Sequence, residues 1–114
     1  PRLGDMLRVD DEVPALLHGD LWTGNAAALN GVSEEPVIYD PAVSFGCREA
    51  DLAMTELFGS FGQRFFSAYA ESFPIASGYS QRRDLYNLYH VLNHANLFGG
   101  GYVGQAESIA RNYI

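Results

Sequence analysis

Apolar and polar positions follow two rhythms along this chain. As far as residue 47 the apolar residues come in short runs: Ala15-Leu16-Leu17, Ala26-Ala27-Ala28-Leu29 and Val37-Ile38-Tyr39. Each run is cut off by an acid, an amide, glycine or proline, the signature of short strands between loops. Asn30-Gly31 predicts a turn, lengthened by Glu34, Glu35 and Pro36, so the second and third runs read as an antiparallel hairpin. Ahead of them, Asp10-Asp11-Glu12 and Pro14 break any helix, leaving a frayed helix end and a loop over residues 1–15. From Arg48 the rhythm becomes helical. Ala50, Leu52, Ala53 and Leu57 predict a helix to about Phe58, ended by Gly59. Phe61, Phe65, Phe66, Tyr69 and Phe73 mark a second helix, stopped by Pro74, whose aromatic stripe reads as core. Ser80 is placed to cap a third. Its Leu85, Leu88, Tyr89 and Leu92 keep the spacing of one buried face, and Asn93 and Asn96 read as buried hydrogen-bond formers. Gly99-Gly100-Gly101 breaks that helix, and Tyr102 to Tyr113 predicts a last one with Val103, Ala106, Ile109 and Ala110 inward. The expected fold class is α+β, a β-hairpin with loops resting on a mainly helical layer.

The loops between the short strands carry the chemistry. His18-Gly19-Asp20-Leu21-Trp22-Thr23-Gly24-Asn25 follows the first strand, and Val37-Ile38-Tyr39-Asp40-Pro41 ends the hairpin. Because a hairpin brings its ends together, Asp20, Asn25 and Asp40 are expected to face one site. Phosphoryl transfer uses such a set: a carboxylate to orient a hydroxyl and take its proton, with carboxylate and amide oxygens for magnesium. The spacing is that of the H-R-D-x-x-x-x-N catalytic loop, with Gly19 in place of the arginine.

Composition narrows the picture further. The 114 residues allow at most one domain, and the net charge of −7, with seven Lys+Arg, provides no basic stripe for nucleic acid. With Cys47 the only cysteine, neither an internal disulfide nor a cysteine zinc site is possible. The sequence has neither an apolar run long enough to span a membrane nor a signal-peptide pattern, which makes a cytoplasmic location the default expectation.

Taken together, the motifs resemble the fructosamine kinase (ketosamine-3-kinase) family, within the superfamily of small-molecule kinases that share the protein-kinase-like fold. The resemblance rests on the His18–Asn25 loop with Trp22, where aminoglycoside kinases usually carry histidine. It rests also on Asp40-Pro41-Ala42-Val43, on Arg48-Glu49-Ala50-Asp51-Leu52-Ala53-Met54-Thr55, and on Leu57-Phe58-Gly59. Leu85-Tyr86-Asn87-Leu88-Tyr89-His90, Leu92-Asn93-His94 and Leu97-Phe98-Gly99-Gly100-Gly101-Tyr102 continue it, so that it covers roughly residues 14–114. Cys47, where the family often has histidine, and Ser60, where glycine is common, depart from it.

The resemblance implies the C-terminal catalytic lobe of a kinase-like fold. Asp20 would be the catalytic aspartate, with Asn25 and Asp40 as magnesium ligands. The reaction would be ATP-dependent phosphorylation of the sugar 3-hydroxyl of a ketosamine, as a small molecule or on a glycated protein lysine, with deglycation as its outcome. An aminoglycoside or another small hydroxyl compound is the alternative acceptor, and a non-catalytic kinase-like module the alternative class. A complete kinase of this kind also has a strand lysine for the nucleotide phosphates. This sequence contains no lysine and no glycine-rich phosphate loop. The nucleotide-binding lobe is therefore expected elsewhere, this chain alone is expected to be inactive, and self-association through the seam facing that lobe is a risk.

Several residues keep two readings. Trp22 is either a hydrophobic anchor for its loop or a platform for the sugar. Glu49 is either a solvated helix-start carboxylate or a partner for the substrate amine. His18 supports the loop through hydrogen bonds or acts as an acid–base group. Asp51, acidic on an apolar helix face, is expected to brace the loop by accepting from its backbone amides. His90 and His94 stand at zinc-ligand spacing, but position 91 is valine and no third ligand is evident.

Overall fold

In a computed structural model, residues 2–29 and 35–114 are described. A short helix, α1 (Leu3–Met6), precedes strand β1 (Ala15–Leu17). A 3-10 turn (Thr23–Asn25) leads into β2 (Ala26–Ala28), followed by β3 (Pro36–Ile38) and β4 (Ser44–Gly46). Helices α2 (Glu49–Met54), α3 (Gln63–Ser72), α4 (Tyr79–Phe98) and α5 (Gly101–Arg111) complete the chain. The architecture is α+β: two small two-stranded sheets beside a helical layer.

β2 and β3 form the expected hairpin, pairing Ala26 with Ile38, Ala27 with Val37 and Ala28 with Pro36. Its turn at Asn30-Gly31 lies outside the described residues. The sequence pattern did not anticipate β4, which pairs antiparallel with β1 in the register Ala15–Gly46, Leu16–Phe45, Leu17–Ser44. This second sheet closes over the stretch between residues 18 and 43, so both acid-bearing loops leave from paired strands. One face of the sheet is apolar and open: Leu16 and Phe45, directly opposed, are 64% and 77% exposed.

The core lies between α2, α4 and α5. Leu17, Leu52, Ala53, Met54, Leu85, Val91 and Ala106 are buried. The Asn87 side chain donates Nδ2–H to the Ala53 carbonyl at 2.8 Å, joining α4 to α2. Thr55, fully buried, turns its hydroxyl back to the Leu52 carbonyl at 2.6 Å and ends α2. Between α4 and α5, Gly99 and Gly100 both take positive φ (62° and 59°) with ψ near −140°. Only glycine occupies that region readily, and here it reverses the chain in two residues.

Several expectations are corrected. The buried face of α4 is Leu85, Asn87 and Val91; Tyr89 and Leu92 are exposed, as are Asn93, Asn96 and Val103. The aromatic stripe is not core, because no residue of α3 is fully buried. Phe61, Phe65 and Tyr69, half-buried, and the exposed Phe73 instead form a ladder of ring contacts with centroids 5.0–6.4 Å apart. Arg48 closes its end, donating to the Phe73 and Pro74 carbonyls at 3.2 and 2.7 Å with its guanidinium over the Tyr69 and Phe73 rings. α4 starts from the left-handed Gly78 rather than from a Ser80 cap. Among the described residues no helix is long and apolar enough to cross a membrane.

Candidate active site

The loop after β1 is shaped by its own backbone amides. Asp51, in the first turn of α2, accepts the His18 N–H at 2.7 Å on Oδ2 and the Gly19 N–H at 2.9 Å on Oδ1. Hydrogen bonds to a charged carboxylate are the strong kind, and two of them fix both position and rotation of the peptide they hold. Gly19 takes φ 81°, and a Cβ there would run into the Ala42 carbonyl. The Ala42 N–H in turn donates to the His18 carbonyl at 2.7 Å, latching the second loop to the first.

The partners of His18 assign its ring. Nε2 lies 2.9 Å from the Tyr39 carbonyl, which can only accept, so Nε2 carries the proton. The bare Nδ1 accepts the Asp20 N–H at 3.2 Å. With both nitrogens occupied and the residue buried, the imidazole is a brace between the loops and is not free for acid–base chemistry.

Asn25 is buried and spends both amide hydrogens on Asp20, at 2.9 Å to its carbonyl and 3.0 Å to its Oδ2. That arrangement turns the Asn25 Oδ1 away from Asp20 and engages only the Oδ2 of its carboxylate. The Asn25 carbonyl accepts the Tyr39 N–H at 3.0 Å, so Asp40 follows directly from a residue pinned to Asn25. Asp40 itself is exposed and left-handed at φ 53°, a conformation that aspartate tolerates better than most residues. The loops thus bring together His18, Asp20, Asn25, Asp51 and the peptide leading to Asp40.

Glu49 lies apart from this group, whereas Trp22 belongs to the loop itself, its N–H donating to the Asp20 carbonyl at 3.1 Å and its carbonyl accepting the Asn25 N–H at 2.9 Å. Glu49 is neither solvated nor available to an amine: it is 1% exposed, and both of its oxygens take N–H groups of Arg82 at 2.7 Å. That bidentate bond is the main reason the Arg82 guanidinium is held above its ordinary pKa. Trp22 folds back over Gly24, where a Cβ would fall inside the indole, and meets Phe58 edge-on at 6.1 Å. The indole thus packs within its own loop while 37% of the residue stays exposed.

Asp20 opens onto a cleft of about 520 Å³. One wall is Gly19, Asp20 and Asp51, with Ala42 and Ser44 at the rim; the opposite wall is Tyr89, His90, Asn93 and His94 of α4. Sequence reasoning did not place α4 at the site. The spacing of His90 and His94 was the one signal, and with valine at 91 and no third ligand it did not point to a metal site. Among the described residues no cluster of three or more His, Cys, Asp or Glu stands ready for a metal ion. Burial lowers the His90 pKa, His94 lowers it further, and the charges of Asp20 and Asp51 act against both.

The fructosamine kinase family profile matches residues 2–114. A protein of Synechocystis sp. named a probable ketoamine kinase is 52% identical over the whole chain, which covers 38% of that protein. The ketosamine-3-kinase of Mus musculus is 46% identical over 97% of the chain and 35% of its own length. A crystal structure from Thermobifida fusca, assigned as a fructosamine-3-kinase, superposes with a TM-score of 0.83 at 42% identity, over 94% of this chain and 36% of that one. The chain therefore spans about a third of the length of the relatives it matches. Within that span the match is nearly end to end, and the chain belongs to the fructosamine kinase family.

Proposed function

We propose that this chain is the C-terminal catalytic part of a kinase-like domain that phosphorylates the 3-hydroxyl of a ketosamine from ATP, on a free sugar amine or a glycated protein lysine. The observation that carries the reading is the presentation of Asp20. Its N–H is held by His18 and its Oδ2 by Asn25, and it borders a cleft large enough for a sugar. In this reading Asp20 Oδ1 accepts the hydroxyl proton as that oxygen bonds to the γ-phosphorus of ATP and the bond to the ADP oxygen breaks. The ADP oxygen leaves with the electron pair of the broken bond, so the products are ADP and the phosphorylated hydroxyl.

Asn25 Oδ1 and the Asp40 carboxylate suit magnesium, which takes few protein oxygens and completes its shell with water and phosphate. When bound, the ion would neutralise charge on the phosphates. His18 and Asp51 act through position: they hold the amides of residues 18 to 20 and so the direction of the Asp20 side chain. The nucleotide-binding lobe belongs to the rest of the kinase, and the open Leu16–Phe45 face supports a further layer of protein there.

The test is Asp20→Asn in the complete kinase, assayed with magnesium, ATP and fructosyl-lysine. Loss of a positioned base predicts a fall in kcat of about 10²–10⁴ with nucleotide binding kept. Undiminished turnover in that variant would remove the mechanism. A wild-type enzyme that phosphorylates an aminoglycoside and ignores fructosyl-lysine would change the acceptor.

A further inference from the structure

The α4 wall of the cleft has no part in the roles above. Its two histidines differ in how they are held. His94 is committed: its Nδ1–H donates to the His90 carbonyl at 2.8 Å, and its ring lies 4.9 Å from Phe58 and 5.2 Å from Tyr102. The His90 ring only meets Tyr89 edge-on at 5.3 Å and, among the described residues, makes no hydrogen bond through either nitrogen although it is half-buried. A neutral imidazole carries one N–H donor and one bare acceptor, and in His90 both stay open to a ligand in the cleft that the residue lines. Asn93, one turn further along the same helix face, adds an amide's donors and acceptor to the same cleft. A row of sugar hydroxyls, each both donor and acceptor, matches that set.

We propose that His90 and Asn93 form the wall that hydrogen-bonds the hydroxyls of a polyhydroxylated acceptor, while Asp20 opposite addresses the hydroxyl to be phosphorylated, which makes His90 a specificity-determining residue. The proposal rests on the ketosamine reading and adds where the sugar lies.

The experiment is steady-state kinetics of the complete kinase with His90→Phe, which keeps a ring and removes both polar atoms. Losing one hydrogen bond should raise the fructosyl-lysine KM about fivefold and leave the ATP KM unchanged. His90→Gln, with a donor and an acceptor, should recover most of the loss. A set of monodeoxy fructosyl amines supplies a readout that a packing role would not move. For the analogue lacking the contacted hydroxyl, the variant's penalty should fall to about onefold, since removing either partner of one contact removes the same term. An unmoved fructosyl-lysine KM, or an equal penalty across every analogue, overturns the proposal and leaves the ketosamine reading standing. A wild-type enzyme that turns over no ketosamine overturns both. Should His90→Phe not fold, His90→Ala enters the same comparison.

Discussion

Replacing Arg82 with methionine tests the buried pair that joins α4 to α2. Glu49 is 1% exposed and the Arg82 side chain 11%, and two N–H···O bonds of 2.7 Å connect them. Arg82→Met keeps much of the apolar stem but strands a carboxylate where water cannot reach it. Breaking a buried pair from one side costs about 3–5 kcal/mol, far above the value of an exposed ion pair. Replacing both partners, Glu49→Gln with Arg82→Met, should restore stability to within about 1–2 kcal/mol of wild type, because no uncompensated charge remains.

Urea unfolding of the complete kinase and both variants at pH 7, with the slope held common, gives these differences. Glu49→Gln assayed with fructosyl-lysine should leave KM where it was. A cost below about 1 kcal/mol for Arg82→Met would refute the reasoning, since that is the range of a solvated pair. A raised KM in Glu49→Gln with unchanged stability would refute it from the other side, returning Glu49 to the substrate.

Two further outcomes follow from the loop. Asp51→Asn preserves shape but turns an NH2 toward a backbone N–H, so it should cost about 1.5–3 kcal/mol in unfolding and lower kcat more than KM; unchanged values in both assays would remove Asp51 as the brace. Gly24→Ala puts a methyl into the Trp22 indole and should destabilise by about 1–3 kcal/mol, read as a lowered Tm; a Tm within error of wild type would mean Trp22 is free to move aside.

Much of this arrangement was legible in the sequence because it is local. β1, the β2–β3 hairpin and the breaks at Pro74 and Gly99 follow from short-range patterning. The spacing from Asp20 to Asn25 carries its chemistry in five residues. What was hidden depends on partners far along the chain. β4 is only Ser-Phe-Gly, with its central Phe45 exposed, and it becomes a strand because β1 lies alongside. Glu49 reads like any acid in a first helical turn until Arg82, thirty-three residues on, closes over it. The aromatic spacing of α3 was periodic enough to suggest a core, yet periodicity says which residues share a face and not what covers that face.

Glu49 and Asp51 sit two residues apart on a six-residue helix, one tied to α4 and the other to the amides of residues 18 and 19. The loop's geometry therefore depends on a docking contact made thirty-three residues further along the chain. A perturbation of α4 at Arg82 would be felt at the amides of residues 18 and 19 through a helix only six residues long.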